Sequence, residues 1–150
     1  MIRIAIVEDE EKCINQLMGY LEEFQKTEKE NLEITVYRDG DGITAEYRSQ
    51  YDIILMDIQM KFVDGMTAAT EIRKVDPEVM IIFITNMTQY ALRGYEVGAL
   101  DYLVKPVSYF AFSERLRKAI SKMMKKRGRM VTIQVKGGIV RIDSASIYYV

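Results

Sequence analysis

Polar side chains that could carry out chemistry follow four of the five short apolar segments in this sequence. Glu8 and Asp9 come directly after the first segment, and Asp57 comes directly after the third. Thr85 ends the fourth segment, and Lys105 follows the fifth. Three carboxylates, one hydroxyl and one amine therefore share the same sequence context.

These residue types together fit phosphoryl chemistry. Three neighbouring carboxylates repel one another unless a cation lies between them, and oxygen-only ligands favour Mg²⁺. A carboxylate beside such an ion can attack phosphorus and form an acyl phosphate, while Lys105 and Thr85 contact the phosphoryl oxygens. Each residue alone has a commoner explanation: Asp9 as a helix cap, Thr85 as a strand or cap residue, Lys105 as a surface lysine. Their joint placement favours a site.

The elements that must position these residues alternate between strands and helices. Strands are predicted at Ile2–Val7, Leu32–Tyr37, Asp52–Met56, Val79–Ile84 and Asp101–Val104, and helices at about 14–24, 43–50, 66–75, 88–97 and 108–126. The D-G-D-G run at 39–42 predicts a turn. Five such βα units predict an α/β fold with a doubly wound parallel sheet. Ligands bind such sheets outside the carboxyl ends of the strands, where the polar residues fall.

Composition narrows the possible chemistry. The 150 residues are 49% hydrophobic and 29% charged, which is typical of a soluble globular chain with one core. There is one cysteine, Cys13, so an intramolecular disulfide is excluded and a cytoplasmic location is predicted. There is no histidine, which excludes histidine metal ligands and catalysis through an imidazole. The sequence shows no apolar run long enough to cross a membrane.

Charge is distributed unevenly along the chain. Residues 1–114 carry 11 Lys and Arg against 21 Asp and Glu, a net charge of −10. Residues 115–150 carry 10 against 1, a net charge of +9. The basic run from Arg115 to Arg129 has two open interpretations, attraction of nucleic-acid phosphates and a solvated helix face.

The last 25 residues show a different pattern. Met130–Val135 and Gly138–Ile142 predict a hairpin, and Ile147–Val150 begins a further strand. So few residues cannot bury a core of their own. We therefore predict a first domain over residues 1–125, and a linker with the opening strands of a truncated second domain over residues 126–150.

Four motifs taken together resemble the receiver domain of a bacterial two-component response regulator. They are I-A-I-V-E-D-E at 4–10, I-I-L-M-D-I-Q-M at 53–60 with D-G at 64–65, F-I-T at 83–85 and D-Y-L-V-K-P at 101–106. The resemblance implies that Asp57 accepts a phosphoryl group from a sensor histidine kinase. It further implies that Glu8, Asp9, Asp57 and the backbone carbonyl of Gln59 hold Mg²⁺.

The same resemblance implies a switch. Thr85 and Lys105 would contact the phosphoryl oxygens, the Lys105–Pro106 bond would be cis, and Tyr102 would turn inward as Thr85 moves. The surface of the fourth predicted helix, the fifth strand and the fifth predicted helix would then change and form a homodimer. Two positions depart from the family pattern: Lys61, where many members have proline, and Glu8, where aspartate is also common.

The C-terminal segment resembles the opening of a LytTR-type DNA-binding domain. The matching stretch is V-T-I-Q-V-K-G-G-I-V-R-I-D-S-A-S-I-Y-Y-V at 131–150, after a basic linker. The resemblance implies a transcription regulator that binds DNA through its full-length C-terminal domain.

Other functions fit the sequence less well. An Mg²⁺-dependent phosphatase with an aspartate nucleophile is the alternative, but such enzymes carry a second aspartate two residues later, where this chain has Gln59. We therefore expect a persistent phosphate and not a turnover enzyme. A nucleotide-binding domain would need a glycine-rich phosphate loop after the first strand, and the sequence has none there. A scaffold receiver without chemistry is disfavoured because every expected polar group is present.

Overall fold

The computed structural model describes residues 1–60, 62–86 and 101–135, of which 127–135 are described as backbone only. The strands are β1 (Ile2–Val7), β2 (Leu32–Tyr37), β3 (Ile53–Met56), β4 (Met80–Thr85) and β5 (Asp101–Val104). The helices in these ranges are α1 (Glu11–Glu28), α2 (Gly40–Thr44), α3 (Gly65–Val75) and α4 (Tyr109–Val135). The predicted strands are confirmed to within one residue at each end.

All five strands form one parallel sheet in the order β2-β1-β3-β4-β5. The chain starts with β1, one strand in from the edge of the sheet, adds β2 at that edge, and then crosses back to build the other side. This reversal is the doubly wound arrangement predicted from the sequence. Because the strands are parallel, their carboxyl ends all lie at one edge of the sheet.

The central strands are buried on both faces, as expected where helices cover a parallel sheet. Every residue of β3 and β4 is buried. One core cluster joins α2 and α3 to the sheet and includes Ile43, Met66, Ile72, Met56 and Phe83. The apolar side of α1 is also buried, at Ile14, Leu17, Leu21 and Phe24.

Two helices differ from the prediction. Helix α2 occupies Gly40–Thr44 instead of 43–50, so the D-G-D-G run begins a helix and is not a simple turn. Its start is explained by the Asp39 carboxylate, which accepts a hydrogen bond from the Asp41 N–H as an N-cap. The predicted helix at 88–97 lies outside the described residues.

Helix α4 also differs, because it continues to Val135. The strand predicted for Met130–Val135 is therefore wrong. An existing helix grows by one hydrogen bond per added residue without a new nucleus, whereas a two-stranded hairpin without a larger sheet is only marginally stable. The predicted strands at 138–142 and 147–150 lie outside the described residues.

The chain divides into two compact units, Met1–Arg115 and Leu116–Val150. The first contains the complete sheet and the strand ends with their polar residues. In the second, the buried side chains of the described helical part are Leu116, Ala119, Ile120 and Met123. Within the described residues, no helix combines the length and the apolar character that a membrane crossing needs.

Candidate functional site

Backbone pairing holds the acidic residues at the edge of the sheet. The Glu8 N–H donates to the Tyr37 carbonyl at 2.9 Å, and the Asp57 N–H donates to the Val7 carbonyl at 2.9 Å. Both acids therefore continue the ladders of β1 with β2 and of β3 with β1. Their side chains start from a backbone that the sheet keeps in place.

Lys105 is positioned in the same way from the far side of the sheet. Its N–H donates to the Thr85 carbonyl at 3.0 Å, which continues the pairing of β4 with β5. The Lys105–Pro106 peptide bond is cis, in agreement with the prediction. Residues 97 positions apart in sequence, Glu8 and Lys105, are thus brought to one place.

The three carboxylates predicted to share a cation do lie together. Glu8, Asp9 and Asp57 each offer an oxygen, and these oxygens lie within 4.8 Å of one another. Glu8 and Asp57 are buried, with 2% and 6% of their surface exposed, whereas Asp9 is exposed. The Lys105 Nζ lies 2.8 Å from Glu8 Oε1 and 3.5 Å from Asp57 Oδ2.

The surroundings change the pKa of Glu8 and of Lys105. Burial raises the pKa of Glu8 to about 7, and the charge of Asp57 adds to the rise despite the hydrogen bond from Lys105. Burial alone would lower the pKa of Lys105. The hydrogen bond to Glu8 and the charge of Asp57 outweigh it, so that this pKa lies above its usual range. Two carboxylates share one ammonium, and a further cation would relieve their repulsion.

A cavity of about 410 Å³ opens over these side chains. It is lined by Glu8, Asp9, Glu10, Asp57, Gln59, Met60, Asn86 and Lys105. A second cavity of about 340 Å³ shares Asn86 and Lys105 with the first and is otherwise lined by Lys12, Cys13, Gln16 and Pro106. Asn86 was missed from the sequence, although it follows β4 in the same way that Asp57 follows β3.

Thr85 occupies a different position from the other predicted residues. It is fully buried at the end of β4 and does not line either cavity. In the sheet, Phe83 pairs with Tyr102 and Thr85 pairs with Val104. Because side chains alternate between faces, Thr85 and Tyr102 are diagonal neighbours on one face. The Tyr102 ring packs against the Phe83 ring with centroids 6.4 Å apart.

A glycine lets the helix after Asp57 approach the acceptor residue. The Gly65 N–H donates to the Ile58 carbonyl at 2.8 Å. A Cβ at Gly65 would lie 2.1 Å from the Asp57 carbonyl oxygen and 2.9 Å from the Ile58 Cα, closer than real Cβ atoms come. The D-G pair at 64–65 therefore has a packing role: Asp64 caps α3 by accepting from the Thr67 N–H, and Gly65 makes room for Asp57.

The donor set fits a magnesium ion. Neighbouring ligand oxygens around Mg²⁺ lie about 3 Å apart and opposite ones about 4 Å apart, since each lies about 2.1 Å from the metal. The oxygens of Glu8, Asp9 and Asp57, within 4.8 Å of one another, need only small side-chain adjustments to reach that spacing. Gln59 lines the same cavity, beside the acids.

Comparison with known proteins gives a consistent result. A family model described as the response regulator receiver domain matches residues 4–128. The transcriptional regulatory protein PcoR of Escherichia coli is 31% identical over 136 residues, covering 89% of this chain and 58% of PcoR. The sensory transduction protein LytT of Bacillus cereus is 28% identical over 145 residues, covering 95% of this chain and 56% of LytT. The chain spans about half the length of the curated relatives it matches.

A solved structure agrees in fold. The receiver domain of a sensor histidine kinase from Pseudomonas aeruginosa is 26% identical and superposes with a TM-score of 0.69, covering 80% of this chain and 98% of that one. That crystal structure has a magnesium ion coordinated in its active-site cleft.

Proposed function

Because this chain belongs to the family of response regulator receiver domains, we propose that Asp57 accepts a phosphoryl group from a sensor histidine kinase. One observation carries the proposal. The Asp57 carboxylate is nearly buried, with the carboxylates of Glu8 and Asp9 beside it and the Lys105 ammonium 3.5 Å away, at the mouth of an open cavity. A nearly buried carboxylate beside two others, with the Lys105 ammonium as its side-chain partner among the described residues, is the arrangement expected of a group that meets a further partner from outside.

In the proposed transfer, an Asp57 carboxylate oxygen attacks the phosphorus of a phosphohistidine. The new P–O bond forms as the P–N bond breaks, and the imidazole leaves with the bonding electron pair. Lys105, which is held protonated by its two acidic neighbours, neutralises charge on the transferred oxygens. Little else is required of the protein, because phosphoryl transfer depends chiefly on position and charge.

Glu8, Asp9, Asp57 and the backbone carbonyl of Gln59 would hold Mg²⁺. The ion supplies positive charge where three carboxylates and a phosphoryl group would otherwise repel one another. The magnesium ion in the related Pseudomonas receiver supports this assignment. The donor set of this chain supports it independently, since the side-chain ligands are all oxygens within 4.8 Å of one another.

The phosphorylated state would be transmitted through Thr85 and Tyr102. A phosphoryl group adds nearly two charges and three strong acceptors, towards which the Thr85 hydroxyl can turn. Tyr102 lies on the same face of the sheet, one residue pair away, so movement of Thr85 changes the space beside its ring. The response would reach the surface formed by the predicted helix at 88–97, β5 and the start of α4.

In the whole protein, that surface would mediate dimerisation in the cytoplasm. Relatives of this chain carry the names transcriptional regulatory protein and sensory transduction protein. The match to LytT, over 95% of this chain, supports a LytTR-type DNA-binding domain after the receiver. DNA binding would then belong to the full-length C-terminal domain.

Intact mass measures the proposed acceptor directly. The chain is incubated with acetyl phosphate and Mg²⁺, and its mass should increase by one phosphoryl group. Asp57→Ala should show no increase, whereas Asp41→Ala, which removes an exposed acid elsewhere, should be labelled like the wild type. Labelling of Asp57→Ala to the wild-type extent would refute the assignment. Size-exclusion chromatography of the same samples tests dimerisation.

The phosphatase alternative has less support. Its general acid would stand two residues after the nucleophile, where the cavity is lined by Gln59. An amide cannot donate and recover a proton in the way that a carboxylic acid does. Slow hydrolysis of an aryl phosphate, with no burst of turnover, is the expected result.

A further inference from the structure

The turn after β2 is tied to the loop after Asp57. Asp39 Oδ2 accepts from the Phe62 N–H at 2.9 Å, and Asp39 Oδ1 accepts from the Val63 N–H at 2.8 Å. The neighbouring Gly40 N–H donates to the Val63 carbonyl at 3.2 Å. Three hydrogen bonds therefore connect two segments more than 20 residues apart in sequence.

The contact at Gly40 is close. A Cβ there would lie 2.5 Å from the Val63 carbonyl oxygen and 3.0 Å from the Val63 Cγ1. Only glycine lets the first turn of α2 approach this loop. The second residue of the D-G-D-G run is therefore glycine because of a long-range contact, in addition to its effect on the local chain.

The loop between β3 and α3 is consequently held at both ends. The Gly65 N–H donates to the Ile58 carbonyl, which joins the end of the loop to its start. In the second half of the loop, the N–H groups of Phe62 and Val63 donate to the Asp39 carboxylate. Gln59 and Met60 lie between these ties and line the cavity over Asp57. The position of that cavity wall therefore depends on both ties.

We propose that Asp39 is a positioning residue for the phosphoacceptor site, which holds the loop carrying Gln59 against the acidic cluster. The inference rests on the proposed function, because it concerns the same magnesium and phosphoryl site. Asp39 is not among the residues that line the cavity over Asp57, and it acts through the loop backbone.

Asp39 accepts more hydrogen bonds than a helix cap requires. A cap needs one acceptor, and Asp39 already satisfies that need by accepting from the Asp41 N–H at 3.2 Å. Its other contacts cross to a different element. Burial alone would raise the pKa of Asp39, but the hydrogen bonds from Phe62 and Val63 outweigh it and hold the pKa below its usual range. The carboxylate is therefore ionised when the site works.

A serine at this position separates the two roles. Asp39→Ser retains one acceptor that can cap α2, but its short hydroxyl cannot bridge to both loop N–H groups. Asp39→Asn retains the length and one carbonyl oxygen, so that it can keep one loop bond. A pure cap predicts no change at the site in either variant. A positioning role predicts a graded change, larger for serine than for asparagine.

The measurement is the Mg²⁺ concentration that gives half-maximal labelling by acetyl phosphate, together with calorimetric Mg²⁺ titration without a phosphodonor. Asp39→Ser should raise both midpoints by roughly tenfold, the lower end of what loss of a supporting contact costs a metal site. Asp39→Asn should fall between serine and the wild type. Amide exchange at Phe62 and Val63 should accelerate in the same order.

Two controls separate charge and stability from position. Asp41→Asn removes an acidic charge from the same turn without removing the loop bonds. Tyr47→Phe lowers stability by removing the hydrogen bond to Asp76 at 2.7 Å. Both should keep the wild-type Mg²⁺ midpoints.

The outcomes are distinct. Unchanged Mg²⁺ midpoints in Asp39→Ser, with normal labelling of the wild type, would overturn the positioning role and leave the phosphoacceptor assignment intact. An equal change in Tyr47→Phe would also overturn it, because a general loss of stability would then explain the result. A wild-type chain that takes neither label nor Mg²⁺ would remove both proposals.

Discussion

Two buried acids in this molecule have similar exposure and different surroundings. Asp57 is 6% exposed and Asp76 is 7% exposed. Asp76 accepts from the Tyr47 hydroxyl at 2.7 Å and from the N–H groups of Glu78 and Val79 at 3.1 and 3.2 Å. Three neutral donors from the protein thus contact its carboxylate, and the Arg73 guanidinium interacts with it electrostatically.

Among the residues that the structure describes, the side-chain partner of the Asp57 carboxylate is the charged Lys105 and not a set of neutral donors. Asp57 and Glu8 face each other across one ammonium, which lies 2.8 Å from Glu8 and 3.5 Å from Asp57. The protein leaves their charge incompletely compensated and a cavity open beside them. Burial alone therefore does not distinguish a structural acid from a reactive one. The number and kind of partners supplied by the protein does.

The largest combined loss of stability and labelling in one variant should come from disturbing the backbone at Asp57. Gly65→Ala places a Cβ 2.1 Å from the Asp57 carbonyl oxygen, so that either the helix or the acceptor must move. We expect the free energy of unfolding to fall by about 1–3 kcal/mol. Labelling by acetyl phosphate should fall by at least about tenfold, because small displacements of a reacting group slow a reaction strongly. Urea unfolding and intact mass measure the two effects.

Gly19 provides a matched control for this substitution. It lies within α1, and a Cβ there meets nothing within 4 Å. Gly19→Ala should raise the free energy of unfolding by about 0.5–1 kcal/mol and leave labelling unchanged. If Gly65→Ala behaved like Gly19→Ala, the close approach at Asp57 would have no importance for the site.

The surroundings of Gly40 and Gly65 show which structural features the sequence can predict and which it cannot. The strands were predicted because apolar runs have the strand period and length, and the acidic cluster was predicted because parallel strands end at one edge. The start of α2 was missed because D-G-D-G is locally a turn pattern. The first two residues of this run, Asp39 and Gly40, contact Val63, which lies far away in sequence.

Local pattern was misleading in α4 for a similar reason. The alternating residues of Met130–Val135 favour a strand, but a strand needs partners that local sequence does not supply. The structure instead continues the helix that is already formed. Asp39 was missed because it acts through neighbours from another element, and no short motif marks such a residue.

The next prediction compares Asp57 and Asp76 directly, by replacing each with asparagine. Asp76→Asn replaces an acceptor oxygen by a donor beside Tyr47 or beside two N–H groups, which should lower the free energy of unfolding by about 1–3 kcal/mol. Labelling should persist. Asp57→Asn removes one of two crowded buried carboxylates, so that Glu8 keeps Lys105 to itself. In the absence of Mg²⁺ it should raise the free energy of unfolding by roughly 1 kcal/mol, while labelling is lost.

Thermal and urea unfolding of both variants without Mg²⁺ check these signs. The opposite sign is the informative result, since the substitution removes one charge in each case. Equal destabilisation by the two variants would mean that Asp57 contributes to folding as Asp76 does, and the two acids would not differ in role.

The smallest effect is a pH dependence of the free energy of unfolding, which tests whether the Asp39 carboxylate stabilises the fold as a structural acid such as Asp76 does. The Asp39 carboxylate, like that of Asp76, accepts backbone N–H groups, and those bonds hold its pKa below the usual range in spite of burial. A group with a depressed pKa in the folded state stabilises the fold above its unfolded pKa of about 4. That contribution is lost as the pH falls through the folded pKa, where the carboxyl becomes protonated in both states.

The difference in free energy of unfolding between the wild type and Asp39→Asn should therefore be constant near neutral pH and shrink below about pH 4. Urea titrations at a series of pH values measure it, with Asp41→Asn as the control for general charge. A difference that stays constant at acidic pH would mean that the protonated carboxyl of Asp39 holds the loop as well as the carboxylate does. Asp39 would then hold the loop without its charge, and the graded response to serine and asparagine would have to come from length and not from ionisation.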